Sequence, residues 1–559
     1  MSFGEFEPTI MDNEAYGAAV DGVLADFEAA TNAQERRAAV QRWDEMVRQT
    51  VSWESWVYIR FSQDTTDPVA KANKDKLDRV GPGWVALENK VKQALSQSEH
   101  RHEVEQWLGG HVFDIWAGDL AAFEPAIQED MAQESKLVSE YMQLMGGMKI
   151  QFKGKDLNYA GLMKFREDPD RDVRYESNKL LWGWVAQHQA QFDRIFDDLV
   201  KLRHGMARKL GYDNYIPMGY HRMKRAGYDQ HDVARFRDEI VAKAVPLVGK
   251  LRQVQSQRLG IEKLMAWDTS LYSPGGNPAP KGDAAWMSAQ AQTMFEGLNG
   301  QMASFYKMMN DRGLLDLETR DGKSPGGFCT FMPDLAAPFI FANFNGTSND
   351  VRVFTHEAGH AFQSWSCRDA SIMDYVWPSY DGAEIHSMSL EFLTWPFMDL
   401  FFGDRADEFR WNHLAGGLTF MPYGAMGDHF QHEIYANPDA SPAERHEMWK
   451  ALEEKYIPGT NWGDIEVPAA GRRWLMIPHL FHTPFYFLDY VLAYTCALQF
   501  WVLSQSDLEG AMERYVEICR LGGKAPFPKI VQTAGMRSPF EAGCLDEIAA
   551  ATERFLFPS

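Results

Sequence analysis

The segment from Val351 to Trp365 is the feature that most constrains how this chain can fold. It is apolar on most sides, which is typical of a helix buried in a protein core, and residues 348–350 before it are good helix-capping residues. The segment nevertheless contains the pentapeptide HEAGH at His356–His360. Buried imidazole and carboxylate groups are strongly destabilising unless they are paired or bound to a metal. The fold must therefore provide partners for these side chains.

The spacing of the two histidines suits a metal site on a single helix. Four residues advance an α-helix by about 6 Å and a little more than one turn, so His356 and His360 leave the same face and can bind one ion. Glu357 lies about 100° round the helix axis, where its carboxylate can hold a water beside that ion. The pattern predicts two zinc ligands and a general base. The less favoured interpretation is a pair of core histidines satisfied by hydrogen bonds.

A catalytic zinc also needs a third protein ligand and one open coordination position. Glu384 and Glu391 qualify, because they lie in a second predicted helix that follows the break at Pro378. They are two turns apart and share a face, so one can bind zinc while the other hydrogen-bonds a ligand imidazole. The spacing alone does not choose between the two carboxylates. His386 lies on a different face and is a weaker candidate.

Several segments around the HEAGH helix carry a resemblance to a known family. They include residues 326–330 (GGFCT) and 337–347 (APFIFANFNGT), and similar patterns extend over about residues 160–545. The chain is similar to the thimet-type oligopeptidases of metallopeptidase family M3, particularly the oligoendopeptidase F branch. This resemblance implies one zinc ion per chain, Glu384 as the third ligand and Glu391 beside a ligand histidine.

The resemblance also implies a mainly α, two-lobed, zincin-like helical metallopeptidase with a small β-sheet beside the active site and a deep central channel. A length of 559 residues exceeds what one compact core usually serves, so two lobes are expected on size as well. Helical periodicity predicts an N-terminal helical lobe over residues 1–160. The resemblance implies that residues 161–559 form the catalytic region. A small hairpin is predicted at residues 149–157.

The segment Ala337–Gly346 alternates with a period of two, which predicts a strand leading into the HEAGH helix. An edge strand beside the metal can pair with the backbone of a substrate, and on this basis Phe341, Asn343 and Gly346 are predicted to bind substrate, together with His482. The pattern itself gives about equal weight to an interior strand, whereas the resemblance favours the edge.

Donors to the oxyanion of the transition state are expected from a downstream segment. Tyr486 and Tyr490 are four residues apart and share a helical face, and His479 or His482 could join them. A downstream cluster of His and Tyr has this role in the family that the chain resembles. The predicted catalytic residues are therefore Glu357, Tyr486, Tyr490 and His479. Either tyrosine could instead be a packed core residue with its hydroxyl satisfied.

These residues predict a zinc endopeptidase that hydrolyses internal bonds of short oligopeptides, with Glu357 taking a proton from the water that zinc activates. A zinc carboxypeptidase or dipeptidyl carboxypeptidase on a similar helical scaffold is the nearer alternative. Such an enzyme needs a cation for the terminal carboxylate, and Arg352, Arg472, Arg473 and Arg537 are available. A non-catalytic helical binding protein is a remote alternative.

Composition limits the kinds of binding partner and the cellular location that can be expected. The net charge of −22, from 78 acidic and 56 basic residues, argues against a nucleic-acid surface and is typical of a soluble protein, with a weak attraction for cationic peptides. The five cysteines lack C-x-x-C spacing and predict neither a disulfide framework nor a second metal site. No secretory signal or uninterrupted apolar run of about 20 residues is evident, so we expect a cytoplasmic protein without a membrane partner. The oligomeric state is not indicated.

Overall fold

The computed structural model describes residues 1–558, and helices dominate it. The α-helices are α1 (Asn13–Ala29), α2 (Ala33–Gln63), α3 (Pro68–Gln97), α4 (Arg101–Leu108), α5 (His111–Ala121), α6 (Gln128–Gly146), α7 (Tyr159–Met163), α8 (Arg171–Lys209), α9 (Tyr215–Arg222), α10 (Gln230–Leu259), α11 (Ala284–Leu298), α12 (Gly300–Asp311), α13 (Ser348–Ser366), α14 (Tyr380–Leu393), α15 (Asp399–Phe402), α16 (Ala406–Ala436), α17 (Pro442–Tyr456), α18 (Glu466–Ala469), α19 (Pro478–His482), α20 (Tyr486–Ser504), α21 (Leu508–Leu521), α22 (Phe527–Thr533) and α23 (Asp546–Leu556). The strands are β1 (Ile150–Phe152), β2 (Lys155–Leu157), β3 (Leu315–Glu318), β4 (Phe328–Met332) and β5 (Ala337–Phe344). The predicted mainly α fold class is confirmed.

The buried side chains form two separate hydrophobic cores. Helices α1–α5 build the smaller core around tryptophans such as Trp43, Trp84 and Trp116, with a contribution from the segment 372–376. Most other buried side chains belong to the larger core, and these include residues of α6 such as Tyr141. Two cores are what a chain of this length requires, because one compact core rarely grows beyond about 300 residues. The domain boundary at residue 160 stays a prediction.

The predicted hairpin at residues 149–157 is confirmed. Strands β1 and β2 pair in an antiparallel manner, with Ile150 opposite Leu157. The connecting residues Lys153 and Gly154 both have positive φ angles, of 48° and 75°. Such a turn matches the twist of two short strands, and glycine adopts it at little cost.

The second sheet lies directly before α13 and corrects one sequence prediction. Its strand order is β3-β5-β4, in which β5 is parallel to β3 and antiparallel to β4. The predicted strand β5 therefore exists, but it lies in the middle of the sheet rather than at its edge. Both sides of its backbone are already hydrogen-bonded, so the two edges of this sheet belong to β3 and β4.

Helix α13 begins at Ser348, where the sequence predicts a helix start. Its N-cap is Thr347, which makes no capping hydrogen bond through its side chain. Asp350, in the first turn, instead accepts hydrogen bonds from the backbone N–H groups of Asn345 and Gly346, at 3.0 and 2.7 Å. This carboxylate fixes the short connection between β5 and α13.

Gly359, inside the HEAGH pentapeptide, allows α13 and α14 to pack closely. A Cβ atom added at Gly359 would lie 2.5 Å from the carbonyl oxygen of His386 and 2.6 Å from the Cα atom of Ser387. Both contacts involve backbone that cannot easily move, so a larger residue would push the helices apart. The close packing brings the carboxylates of α14 to the histidines of α13.

Helix α20 carries Tyr486 and Tyr490 and is a core helix. By length and composition, Tyr486–Ser504 is apolar enough to cross a membrane, but 72% of it is buried inside the protein. Asp489, within this helix, forms a fully buried ion pair with Arg225 at 2.6 Å. The apolar character of α20 is therefore explained by packing.

Candidate active site

His356, His360 and Glu384 converge at the contact between α13 and α14. The Oε2 atom of Glu384 lies 3.3 Å from Nε2 of His356 and 3.5 Å from Nε2 of His360. All three donor atoms lie within 4.8 Å of one another. Ligands of a tetrahedral zinc, each about 2.0–2.1 Å from the ion, are separated by about 3.3 Å. The two imidazoles and the carboxylate therefore fit a zinc ion, and the geometry favours Glu384 over Glu391 as the third ligand.

Glu391 links one of these histidines to the interior of the protein. Its Oε1 atom accepts a hydrogen bond from Nδ1 of His356 at 2.8 Å, and its Oε2 atom lies 2.8 Å from Nε2 of His413. Trp395 donates its indole N–H to Nδ1 of His413 at 2.9 Å. Because Nδ1 of His356 is held by Glu391, its Nε2 atom is directed at the metal position.

The carboxylate of Glu384 is held by two hydroxyl groups. Ser387 donates to Oε2 at 2.9 Å, and Tyr486 donates to Oε1. Burial raises the pKa of Glu384, but the interactions with His360 and His356 outweigh burial and hold that pKa well below its usual range. Glu384 therefore carries a negative charge that a metal ion at this position would meet.

Glu357 lies beside the metal position and faces a cavity of about 820 Å³. Burial raises the pKa of this carboxyl group, which makes its carboxylate a stronger base. Gly327, directly before β4, lines the same cavity, and a Cβ atom added there would lie 3.5 Å from Oε1 of Glu357. Gly327 belongs to the GGFCT segment that carries the family resemblance, but its place at the cavity is not predicted from the sequence.

Tyr490 and His479 line this cavity on the side of α20. The Tyr490 hydroxyl lies 3.5 Å from Nε2 of His479, and burial lowers the pKa of His479 to about 4, so its imidazole is neutral near pH 7. Tyr486 differs from its prediction as an oxyanion donor. Its hydroxyl donates a hydrogen bond to Glu384, one of the candidate metal ligands, and Tyr486 is not among the residues that line the cavity.

The predicted substrate-binding residues are not at the cavity. Phe341 is fully buried in the central strand and stacks on Phe328 with a ring spacing of 4.7 Å. Asn343 donates its amide to the carbonyl groups of residues 324 and 326, and Gly346 donates its N–H to Asp350. His482 is hydrogen-bonded to Thr483 at 2.7 Å. The prediction assumed that β5 was an edge strand, and the parallel partner β3 removes that edge.

His413 and Trp395 escaped the sequence analysis. His413, on α16, contacts Glu391, and Trp395, in the turn after α14, donates a hydrogen bond to His413. Both residues lie too far along the chain from the HEAGH helix for a periodic pattern to connect them to it. The buried histidine in an otherwise apolar part of α16 was the available signal. Such a histidine needs a polar partner.

Two family models match most of the chain. The model of peptidase family M3 matches residues 164–550, and the model of the peptidase M3 N-terminal domain matches residues 3–123. The chain belongs to peptidase family M3. The resemblance that the sequence analysis stated is thereby confirmed.

Solved structures agree with membership of family M3 over the whole chain. The structure of PZ peptidase A with an inhibitor is 39% identical, with a TM-score of 0.96, and the alignment covers 99% of each chain. A protein assigned as oligoendopeptidase F from Bacillus anthracis strain Ames is 37% identical, with a TM-score of 0.91, and the alignment covers 100% of this chain and 98% of that one.

Curated relatives in family M3 are more distant in sequence. The oligoendopeptidase F homolog of Lactococcus lactis subsp. lactis strain IL1403 is 23% identical over 418 residues, which are 71% of this chain and 64% of the relative. The chromosomal oligoendopeptidase F of Lactococcus lactis subsp. cremoris is 23% identical over 399 residues, or 68% of this chain and 62% of the relative. The match therefore spans less than two thirds of the length of these relatives.

Proposed function

We propose that this chain is a zinc-dependent endopeptidase that hydrolyses internal peptide bonds of short oligopeptides. The observation that carries the proposal is the convergence of His356, His360 and Glu384 on one point beside Glu357 and a cavity. When bound there, zinc would polarise a carbonyl oxygen and lower the pKa of a water from about 15.7 towards about 7. Membership of peptidase family M3 supports the same chemistry.

Glu357 acts as the general base and then as the general acid. Its carboxylate takes a proton from the attacking water and returns that proton to the leaving amine. Burial raises the pKa of this group, which makes its carboxylate a stronger base, and a pKa nearer the working pH lets the same group accept a proton and release it again.

Tyr490 donates its hydroxyl to the carbonyl oxygen of the substrate as that oxygen becomes negative. The neutral imidazole of His479, 3.5 Å from the hydroxyl, keeps Tyr490 on the cavity side of α20. Tyr486 holds the second oxygen of Glu384 and so positions a metal ligand. A donor that acts only on the developing charge lowers the barrier without tightening substrate binding.

The backbone of the substrate pairs with the start of β4. Gly327 is exposed at the cavity next to Glu357, and β4 is the outer strand on that side of the sheet. Hydrogen bonds from main chain to main chain do not depend on side-chain identity, so we expect broad sequence specificity. The resemblance to the M3 oligopeptidases supports short, unfolded peptides as substrates. The acidic net charge and the buried α20 are consistent with a soluble cytoplasmic enzyme.

Two variants separate the roles of the site residues. Glu357→Gln is expected to retain zinc and to lose about 100-fold or more of its turnover, whereas Glu384→Ala is expected to lose zinc as well. Glu433→Gln is the matched control, since Glu433 follows His432 in a similar pair that lacks a second histidine. Zinc content by elemental analysis and hydrolysis of a quenched peptide are the measurements. Equal zinc content and equal activity in all three variants would contradict the assignment.

Cleavage sites on an end-blocked peptide distinguish the endopeptidase from the carboxypeptidase alternatives. Mass spectrometry is expected to detect internal cuts in a peptide with an acetylated N-terminus and an amidated C-terminus. Complete resistance of the blocked peptide, with cleavage of the free peptide, would favour an exopeptidase.

A further inference from the structure

Four arginines line the cavity. One of them, Arg352, is exposed on α13, and the other three lie on other segments. Arg166 lies in the turn after α7, Arg252 lies on α10, and Arg473 lies after α18. All three are half-buried. This concentration of positive charge stands out in a chain whose net charge is −22.

The guanidinium groups of Arg166 and Arg252 have no carboxylate partner among residues 1–558. The buried Nε atom of Arg166 makes no hydrogen bond, and its Nη1 atom contacts only the sulfur of Met163 at 3.8 Å. Arg252 donates to the side-chain oxygen of Gln255 at 2.6 Å and to the carbonyl oxygen of Thr269 at 3.2 Å, both of which are neutral. Their positive charges are therefore left uncompensated.

Arg473 is only weakly neutralised. The nearest carboxylate oxygen, Oε1 of Glu453, lies 3.9 Å from Nη1, which is beyond hydrogen-bonding distance. The guanidinium packs over the rings of Tyr423 at 4.5 Å and Trp462 at 5.7 Å. Burial lowers the pKa of Arg166 and of Arg252, and the positive charge of Arg473 lowers both pKa values further, so Arg473 repels each of the other two guanidinium groups.

A chain of aromatic contacts connects this cluster to the proposed catalytic residues. Arg473 packs on Tyr423, the ring of Tyr423 lies 5.7 Å from that of Phe487, and Phe487 lies 5.6 Å from His479, which neighbours Tyr490. An extended peptide advances about 3.3 Å per residue. A peptide bound at the metal position therefore needs only a few residues to reach the arginines.

We propose that Arg166, Arg252 and Arg473 form a subsite for a carboxylate group of the bound peptide. Guanidinium groups bind carboxylates through paired, charge-assisted hydrogen bonds, and a carboxylate would relieve the repulsion among the three arginines. The carboxylate is either the C-terminus of the substrate or an acidic side chain within it. The inference rests on the proposed peptidase function, and it adds a preference for the charge of the substrate.

Paired peptides test the subsite and distinguish the two sources of the carboxylate. A nested series of short quenched peptides is assayed with a free or an amidated C-terminus, and an amidated series is assayed with Glu or Gln at each position. The wild-type protein is expected to have a kcat/KM about 10-fold higher for the charged member of at least one pair. Preference in the first series identifies the terminus, and preference in the second identifies a side chain.

The variants Arg166→Gln and Arg252→Gln are expected to lower the preference towards 1, because kcat/KM for the charged peptides falls more than kcat/KM for the uncharged peptides. Arg258→Gln is the matched control, because Arg258 lies on the same helix as Arg252 but packs over Trp411, at 4.0 Å, outside the cavity. Thermal unfolding of each variant checks that the fold is retained. We leave Arg473 unchanged, since its contacts with Tyr423 support the cavity wall.

Peptide binding by the Glu357→Gln variant separates failure of the subsite from failure of the proposed function. Calorimetric titration measures the affinity of the charged and uncharged peptides without turnover. If the wild type cleaves nothing but Glu357→Gln prefers the charged peptide, the proposed function fails and the subsite stands. The subsite is overturned if neither series reveals a charge preference, or if the preference survives unchanged in both Arg166→Gln and Arg252→Gln.

Discussion

At the scale of single residues, two carboxylates on one face of α14 have different tasks because they meet different partners. Glu384 faces the Nε2 atoms of both histidines of α13, whereas Glu391 lies between Nδ1 of His356 and the imidazole of His413. The periodicity of α14 brings both carboxylates to α13. His413, on α16, engages Glu391, so Glu384 is the carboxylate left to face both histidines and is the proposed metal ligand.

Replacement of Tyr490 by Phe tests the proposed oxyanion donor. We expect Tyr490→Phe to lower kcat by about 100-fold and to change KM little, because the hydroxyl is proposed to act only on the developing negative charge. Tyr494→Phe is the matched control, since Tyr494 lies one turn further along α20 and its hydroxyl has no hydrogen-bond partner. Steady-state kinetics on one peptide gives both constants. An unchanged kcat would make Tyr490 a packing residue.

At the scale of elements, local patterns predict where helices and strands lie but not how strands are ordered. The sequence predicts a helix over residues 351–365 that starts near residue 348, and a strand over residues 337–346, where the structure has α13 (Ser348–Ser366) and β5 (Ala337–Phe344). β5 is a central strand because β3, a strand of only four residues (Leu315–Glu318), pairs with it in parallel. So short a strand has no periodic signal of its own. For this reason Phe341 and Asn343 were predicted to bind substrate, whereas they lie on the central strand of the sheet.

The loop between β3 and β4 is held by a buried charge cluster that can be tested by substitution. Asp316 accepts hydrogen bonds from Arg320 at 2.7 Å, from Lys323 at 2.8 Å and from Gln63 of α2 at 2.9 Å. The side chain of Lys323 is fully buried. We expect Asp316→Asn to lower the free energy of unfolding by about 3 kcal/mol, because it leaves that charge without its partner.

Chemical denaturation of Asp316→Asn beside Asp321→Asn measures this difference, since Asp321 is exposed in the same loop. Burial alone would raise the pKa of Asp316, but the hydrogen bonds from Arg320 and Lys323 outweigh it and lower the pKa to about 2. The contribution of Asp316 to stability is therefore complete above about pH 4 and is lost as the pH falls towards about 2. Equal stability of both variants at pH 7 would contradict the role of the cluster.

At the scale of the whole molecule, the cavity is assembled from segments that lie far apart in the chain. Its wall includes Arg166, Arg252 and Gly327 as well as the helices that hold the metal ligands. The four-residue spacing predicts His356 and His360 as ligands, because it reflects a local helix geometry, whereas the choice of Glu384 over Glu391 rests on the family resemblance. The sequence does not predict the arginine cluster, whose members come together only through packing of the larger core. Positions that depend on long-range packing leave no periodic trace in the sequence.

Removal and return of zinc test the central claim that His356, His360 and Glu384 hold the metal on which turnover depends. The protein is stripped with a chelator, its metal content is verified by elemental analysis, and peptide hydrolysis is followed while zinc is added back. We predict that hydrolysis disappears in the stripped protein and returns in proportion to added zinc, up to one equivalent per chain. Undiminished hydrolysis by protein that contains no metal would contradict the account.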